Sequence, residues 1–219
     1  KGIDFTNELK LNLIGALGEW NNLLKAQLHL QDWHVNGLVS TGATLPSPFQ
    51  REYFANNYNW KLDSYQNQQH TKAEVEVKHD SFFDLTAKIG YSNWQNTYFF
   101  MDSLWKNDVF SSIQLVSGSV RGTLQWKSLY LQPSVGFTST NSNFAYLPRL
   151  DLRARAYFNK KLFKAKKLDF IFGTDFRYRS NYRLAYYESG LDVYRFGGAS
   201  IVNEANLEID VFTGIQIDQ

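Results

Sequence analysis

The chain has 219 residues, 43% hydrophobic and 16% aromatic, with 23 basic and 21 acidic side chains giving a net charge of +2. Interspersed charge of this kind lacks the basic stripe of a nucleic-acid binder. The absence of cysteine excludes disulfide frameworks, zinc-thiolate sites and thiol nucleophiles. With a mean hydropathy of −0.40, no stretch reaches the roughly 18 apolar residues of a membrane-crossing helix, which leaves open a barrel whose strands alternate.

A two-residue rhythm runs along the chain. A strand sends successive side chains to opposite faces, so apolar and charged residues on opposite phases mark a two-faced strand. The first segment is Phe5 to Ile14, with Leu9, Leu11 and Leu13 opposite Lys10 and Asn12. The second, Leu24 to Val35, sets Leu24, Ala26, Leu28 and Leu30 against Lys25, Gln27, His29 and Gln31. Asn36-Gly37 then predicts a tight hairpin turn, since both residues tolerate positive φ, and Leu38 to Thr44 predicts the return strand.

Phe49 to Trp60 is aromatic and irregular, and Ser64 to His70 reads as a polar loop. Lys72 to His79 alternates Ala73, Val75 and Val77 with Glu74, Glu76 and Lys78. A turn at Asp80-Ser81 leads into a strand from Phe83 to Tyr91, with Asp84, Thr86 and Lys88 on its polar phase. A short aromatic strand spans Gln95 to Asp102, and Lys106 to Asp108 reads as a loop. Ile113 to Val116, Val120 to Lys127 and Leu129 to Thr138 predict a meander, followed by a loop at Ser139 to Asn143. Leu150 to Phe158 and Leu168 to Arg179 flank a basic turn at Lys160 to Lys167. Arg183 to Glu188 and Leu207 to Ile217 complete about twelve to fourteen expected strands. No Pro/Ser linker or charge block divides residues 1–219, which read as a single domain.

Periodicity of this kind fits a soluble sandwich with a solvated outer face as well as a membrane barrel with a polar lumen. Strands of about ten residues favour the barrel, because a tilted bilayer crossing takes about nine to eleven. Aromatics near strand ends (Trp20, Trp33, Trp60, Trp94, Tyr98, Tyr146, Tyr157, Phe158, Tyr186 and Tyr187) are expected as girdles at the two rims. The expected fold is therefore all-β: a transmembrane antiparallel barrel with up-and-down connections, and the chain is expected to be part of a longer barrel. The polar phases nominate Lys25, His29, Glu74, Glu76, Lys88, Arg121, Arg153, Arg155, Asp175, Arg177 and Arg179 as lumen-lining. Arg153, Arg155, Arg177 and Arg179 share phases with Asp151, Asp169 and Asp175, so a salt-bridge network and a selectivity-setting ring for anionic solutes are both open readings.

Two segments carry a resemblance. Leu45 to Trp60 reads LPSPFQREYFANNYNW. Leu147 to Glu188 has a Leu-Pro entry, an alternating strand, a basic turn, a strand ending Gly-Thr-Asp-Phe-Arg-Tyr, and Tyr-x-x-x-Tyr-Tyr. Together with LEIDVFTGIQI (Leu207 to Ile217), these resemble the putative porin family of Bacteroidetes outer membranes. The chain departs from that pattern after Tyr187, where Glu188-Ser189-Gly190 stands in place of a proline.

The resemblance implies a barrel in the bacterial outer membrane that lets small hydrophilic solutes pass. The alternative is a non-conducting structural subunit of an envelope or secretion complex. Expected partners are outer-membrane lipid, small hydrophilic solutes and other envelope proteins, with no nucleic acid. None of His29, His34, His70 and His79 has metal-ligand spacing, and no Gly-x-Ser-x-Gly elbow occurs. No enzymatic activity, catalytic residue, metal or cofactor is expected.

Overall fold

The computed structural model of the chain describes residues 2–11, 18–54, 59–80, 83–101, 104–107, 112–141, 147–162, 168–184, 186–188, 193–195 and 202–217. Ten long strands form one sheet: β1 (Gly2–Leu11), β2 (Trp20–Leu30), β3 (Trp33–Thr44), β4 (Gln68–His79), β5 (Leu85–Gln95), β6 (Ser112–Arg121), β7 (Leu129–Thr140), β8 (Leu150–Leu162), β9 (Leu168–Arg179) and β10 (Asn206–Ile217). Every strand pairs antiparallel with its sequence neighbours, and a short strand, Leu124–Trp126, adds to β7. This is an up-and-down meander. The sheet is open, with β1 at one edge and β10 at the other.

The strands run from 10 to 13 residues, as the alternation predicted. Continuous register across the sheet keeps the phases aligned, so the two faces differ throughout. One face carries Ile3, Leu24, Val35, Val75, Ile89, Val120, Val135, Leu152, Phe176 and Ile209; the other carries the charged residues of these strands apart from Lys160, which lies opposite Phe170 near the end of β8.

The apolar face is uncovered: Ile89 in the middle of the sheet is 56% exposed and Val120 49%. Among the described residues, the buried apolar side chains, Ala43, Pro46, Trp60 and Tyr98, lie outside that face's centre. The accessible surface is 14989 Å² for a mass of 25.4 kDa, against about 10,300 Å² for a globular monomer of that size. A soluble sandwich would place a second layer on the apolar face; no described element does so.

The connections alternate in length. Residues 31–32, 80–84, 122–128 and 163–167 link strands at one rim, and 12–19, 45–67, 96–111, 141–149 and 180–205 link them at the other. The short-connection rim has left-handed backbone at Gln31, Phe83, Asp84 and Lys127.

Several expectations need correction. Asn36-Gly37 is not a turn but lies within β3, opposite Gln27 and Ala26. The chain instead reverses at Gln31-Asp32. The apolar phase holds even positions through Leu30 and odd positions from Trp33, and a two-residue turn there keeps both sets on one face. Asn-Gly permits positive φ without demanding it, and the hydrophobic phase decided. Phe83 and Asp84 belong to a turn, with φ of 57° and 42°, rather than to β5. Lys106 is not in a loop: Leu104–Asn107 pairs with Tyr98–Met101 as a small hairpin. Ile113 to Val120 is one strand, β6, without a break. Ser139 and Thr140 extend β7, and Lys160 to Leu162 extend β8. The first strand begins at Gly2 and is described to Leu11; its expected end at Ile14, the residues 163–167 of the basic turn, and Tyr146 lie outside the described residues.

Candidate functional site: the charged wall and its rim

Each residue nominated from the polar phases falls on the charged face. Lys25 and His29 sit on β2, Glu74 and Glu76 on β4, Lys88 on β5, Arg121 on β6, Arg153 and Arg155 on β8, and Asp175, Arg177 and Arg179 on β9. Antiparallel partners point to the same side, so the register brings them together across strands.

Carboxylates sit between the cations. Asp151 accepts Arg153 Nε at 2.7 Å and Arg153 Nη2 at 3.0 Å, and also Arg177 Nη2 at 3.2 Å. Arg155 donates to both oxygens of Asp175 at 2.6 and 2.7 Å, and its guanidinium lies 5.1 Å from the Phe212 ring centroid. Arg179 pairs with Glu208, which also accepts from Asn206. On the other half of the wall Glu74 bridges Lys72 at 2.9 Å and Lys88 at 2.7 Å, and Asn36 donates to Glu76. In two of these clusters the carboxylate is the more enclosed partner, the Glu74 and Asp151 side chains being 18% and 22% exposed, whereas Glu208 is more exposed than Arg179.

One cross-strand row is dominated by cations. His34 faces Lys78, Lys78 faces Thr86, and Thr86 faces Arg121. Arg121 faces Ser134, Ser134 faces Arg153, Arg153 faces Arg177, and Arg177 faces Glu208. Asp80, in the turn after β4, serves two of these groups, accepting Lys78 Nζ and His34 Nε2 at 2.7 Å each. The Lys78 ammonium, then the His34 ring, hold the Asp80 carboxyl below its ordinary range.

The rim with long connections is organised by residues 45–67. Ser47 caps the short helix Pro48–Arg51 in a reciprocal pair with Gln50. Phe49, Tyr53 and Trp60 pack together, and Trp60 Nε1 donates to Phe49 O at 3.0 Å. Trp60 and Tyr98 are therefore enclosed, at 3% and 4% exposure, which corrects their assignment to an interfacial girdle. Tyr157 is also not a girdle residue, because it stacks on Tyr130 on the charged face. Trp20 and Trp33 do lie on the apolar face at strand ends. The Tyr98 hydroxyl accepts from Gln66 N and donates to Gln66 O, and Asn96 and Asn67 donate to Asn67 O and Gly18 O. Three connections are thereby tied together. Sequence periodicity cannot report these contacts, since the residues involved are not in alternating strands.

A continuous antiparallel meander with an uncovered apolar face and an ion-paired polar face defines a porin-like β-barrel protein. The family model described as Putative porin matches residues 1–219, and the chain belongs to that family. No curated protein matches the chain.

Proposed function

We propose that the chain forms the wall of an outer-membrane porin through which small hydrophilic solutes diffuse. The observation that carries this reading is the separation of an apolar and a charged face held over ten strands. Lipid on the apolar side removes the uncovered hydrophobic surface from water, and a water-filled interior solvates the charged side. Family membership supports the outer-membrane location. Outer-membrane barrels pair short periplasmic turns with longer extracellular loops, so the rim bearing residues 45–67 faces outward. The charged wall then sets solute preference through exposed but mutually paired groups. No nucleophile or metal is used.

Planar-bilayer recording of the detergent-purified, full-length protein tests this reading. Stable conductance steps are expected. A barrel that inserts without steps would contradict passage and favour a structural subunit of an envelope complex.

A further inference from the structure

Ion pairing on the charged wall is uneven. In the cationic row, Lys78 and His34 share Asp80, and Arg153 and Arg177 share Asp151. Arg121, between these two groups, makes no ion pair among the described residues. It lines a cavity of about 370 Å³ together with Lys78, Thr86, Gln132 and Ser134. The acidic residue on that cavity, Asp84, lies 3.9 Å from Lys78. Thr86 and Ser134 flank Arg121 in register on either side, and neither hydroxyl, nor the Gln132 amide, is hydrogen-bonded to another side chain among the described residues.

A planar guanidinium with free donors matches the paired oxygens of phosphate and carboxylate. Neighbouring hydroxyl and amide groups supply further donors, and the other cations of the row already have carboxylate partners. We propose that Arg121 anchors a binding site for small oxyanions on the charged wall, with Thr86, Gln132 and Ser134 as its neutral donors. The site rests on the reading of this face as water-filled, and deepens it by naming the solute class.

Titration of the full-length, detergent-purified protein with inorganic phosphate, followed by calorimetry, reads the site directly. Saturable binding is expected, weakened at least ten-fold by Arg121→Gln. Arg121→Lys should retain part of the affinity as a point charge. Lys127→Gln, altering a cation at the adjacent turn that lies over the Trp126 ring, should bind as the parent does. Unchanged heat-modifiable gel mobility checks that each variant folds. Absent phosphate binding in the parent, or equal binding by Arg121→Gln, overturns the proposal. Conductance of the same preparations separates the two readings. Conduction without phosphate binding keeps the porin and rejects the site; Arg121-dependent binding without conduction keeps the site and rejects passage.

Discussion

Arg155 and Asp175 stand directly opposite each other on β8 and β9 and meet through two parallel hydrogen bonds of 2.6 and 2.7 Å. The pair is one cross-strand unit of the charged wall, with fixed geometry at both oxygens. Its side chains are 53% and 35% exposed, so solvent screens most of the Coulomb attraction. A double-mutant cycle with Arg155→Ala and Asp175→Ala should give a coupling of about 1 kcal/mol or less, as exposed pairs do. Urea unfolding in lipid vesicles reads it.

The assignment of faces makes a sharper demand. Ile89→Arg places a charge at mid-strand on the apolar face, and should cost about 2–4 kcal/mol in vesicles. Lys88→Ala, one residue away, loses a pair with Glu74, which keeps Lys72 as a partner, and should cost under about 1 kcal/mol. Equal costs in vesicle refolding would reverse or erase the assignment.

Gly173 lies between Tyr157 on β8 and Phe212 on β10. A Cβ there would fall 2.5 Å from Ala156 O, 2.5 Å from Tyr157 Cβ and 2.7 Å from Phe212 Cζ. The β8 backbone would have to give and the Phe212 ring to swing away, so Gly173→Ala should destabilise by about 1–3 kcal/mol. Gly214, whose added Cβ would meet Ile171 Cβ at 3.8 Å, should accept alanine nearly neutrally. Parallel denaturation of the two variants distinguishes local crowding from a general effect of filling glycines.

Asp80 gives the turn after β4 a pH response. Its carboxyl is held below the ordinary value of 3.8 by Lys78 first and His34 second. A depressed carboxyl stabilises the folded state fully above the unfolded value, and the contribution disappears as pH falls through the folded one. Opening of this turn should therefore increase as pH drops below about 4. Asp80→Asn should remove that pH dependence. Protease susceptibility of the turn across pH 2–6, a range of roughly two units on each side of the ordinary carboxylate value, measures both.

Much of the strand framework was legible because period-two alternation is a direct record of which face each residue occupies. Leu168–Arg179 was read with its observed bounds, and β10 was one residue out at its start. The charged residues share a face for the same reason. Turn positions were less legible. Asn36-Gly37 carried the strongest local turn signal, yet the phase switch between Leu30 and Trp33 fixed the reversal. Phe83 has the composition of a strand residue and sits in left-handed backbone. Pairing partners, such as Asp151 bridging Arg153 and Arg177, depend on register between strands, which alternation within a strand does not contain. The burial of Trp60 and Tyr98 depends on contacts among connections, equally invisible to periodicity.

Residues 1–219 contain no cysteine, so single cysteines placed in them can report solvent access, read against the unsubstituted protein. The most direct test of the two-faced wall is labelling of Lys72→Cys, Lys88→Cys and Gln132→Cys against Val75→Cys, Ile89→Cys and Val135→Cys, with a water-soluble maleimide in lipid vesicles. The charged-face set should react and the apolar-face set should be protected until detergent is added. Labelling that ignores the alternation, or that favours Val75, Ile89 and Val135, would contradict the account.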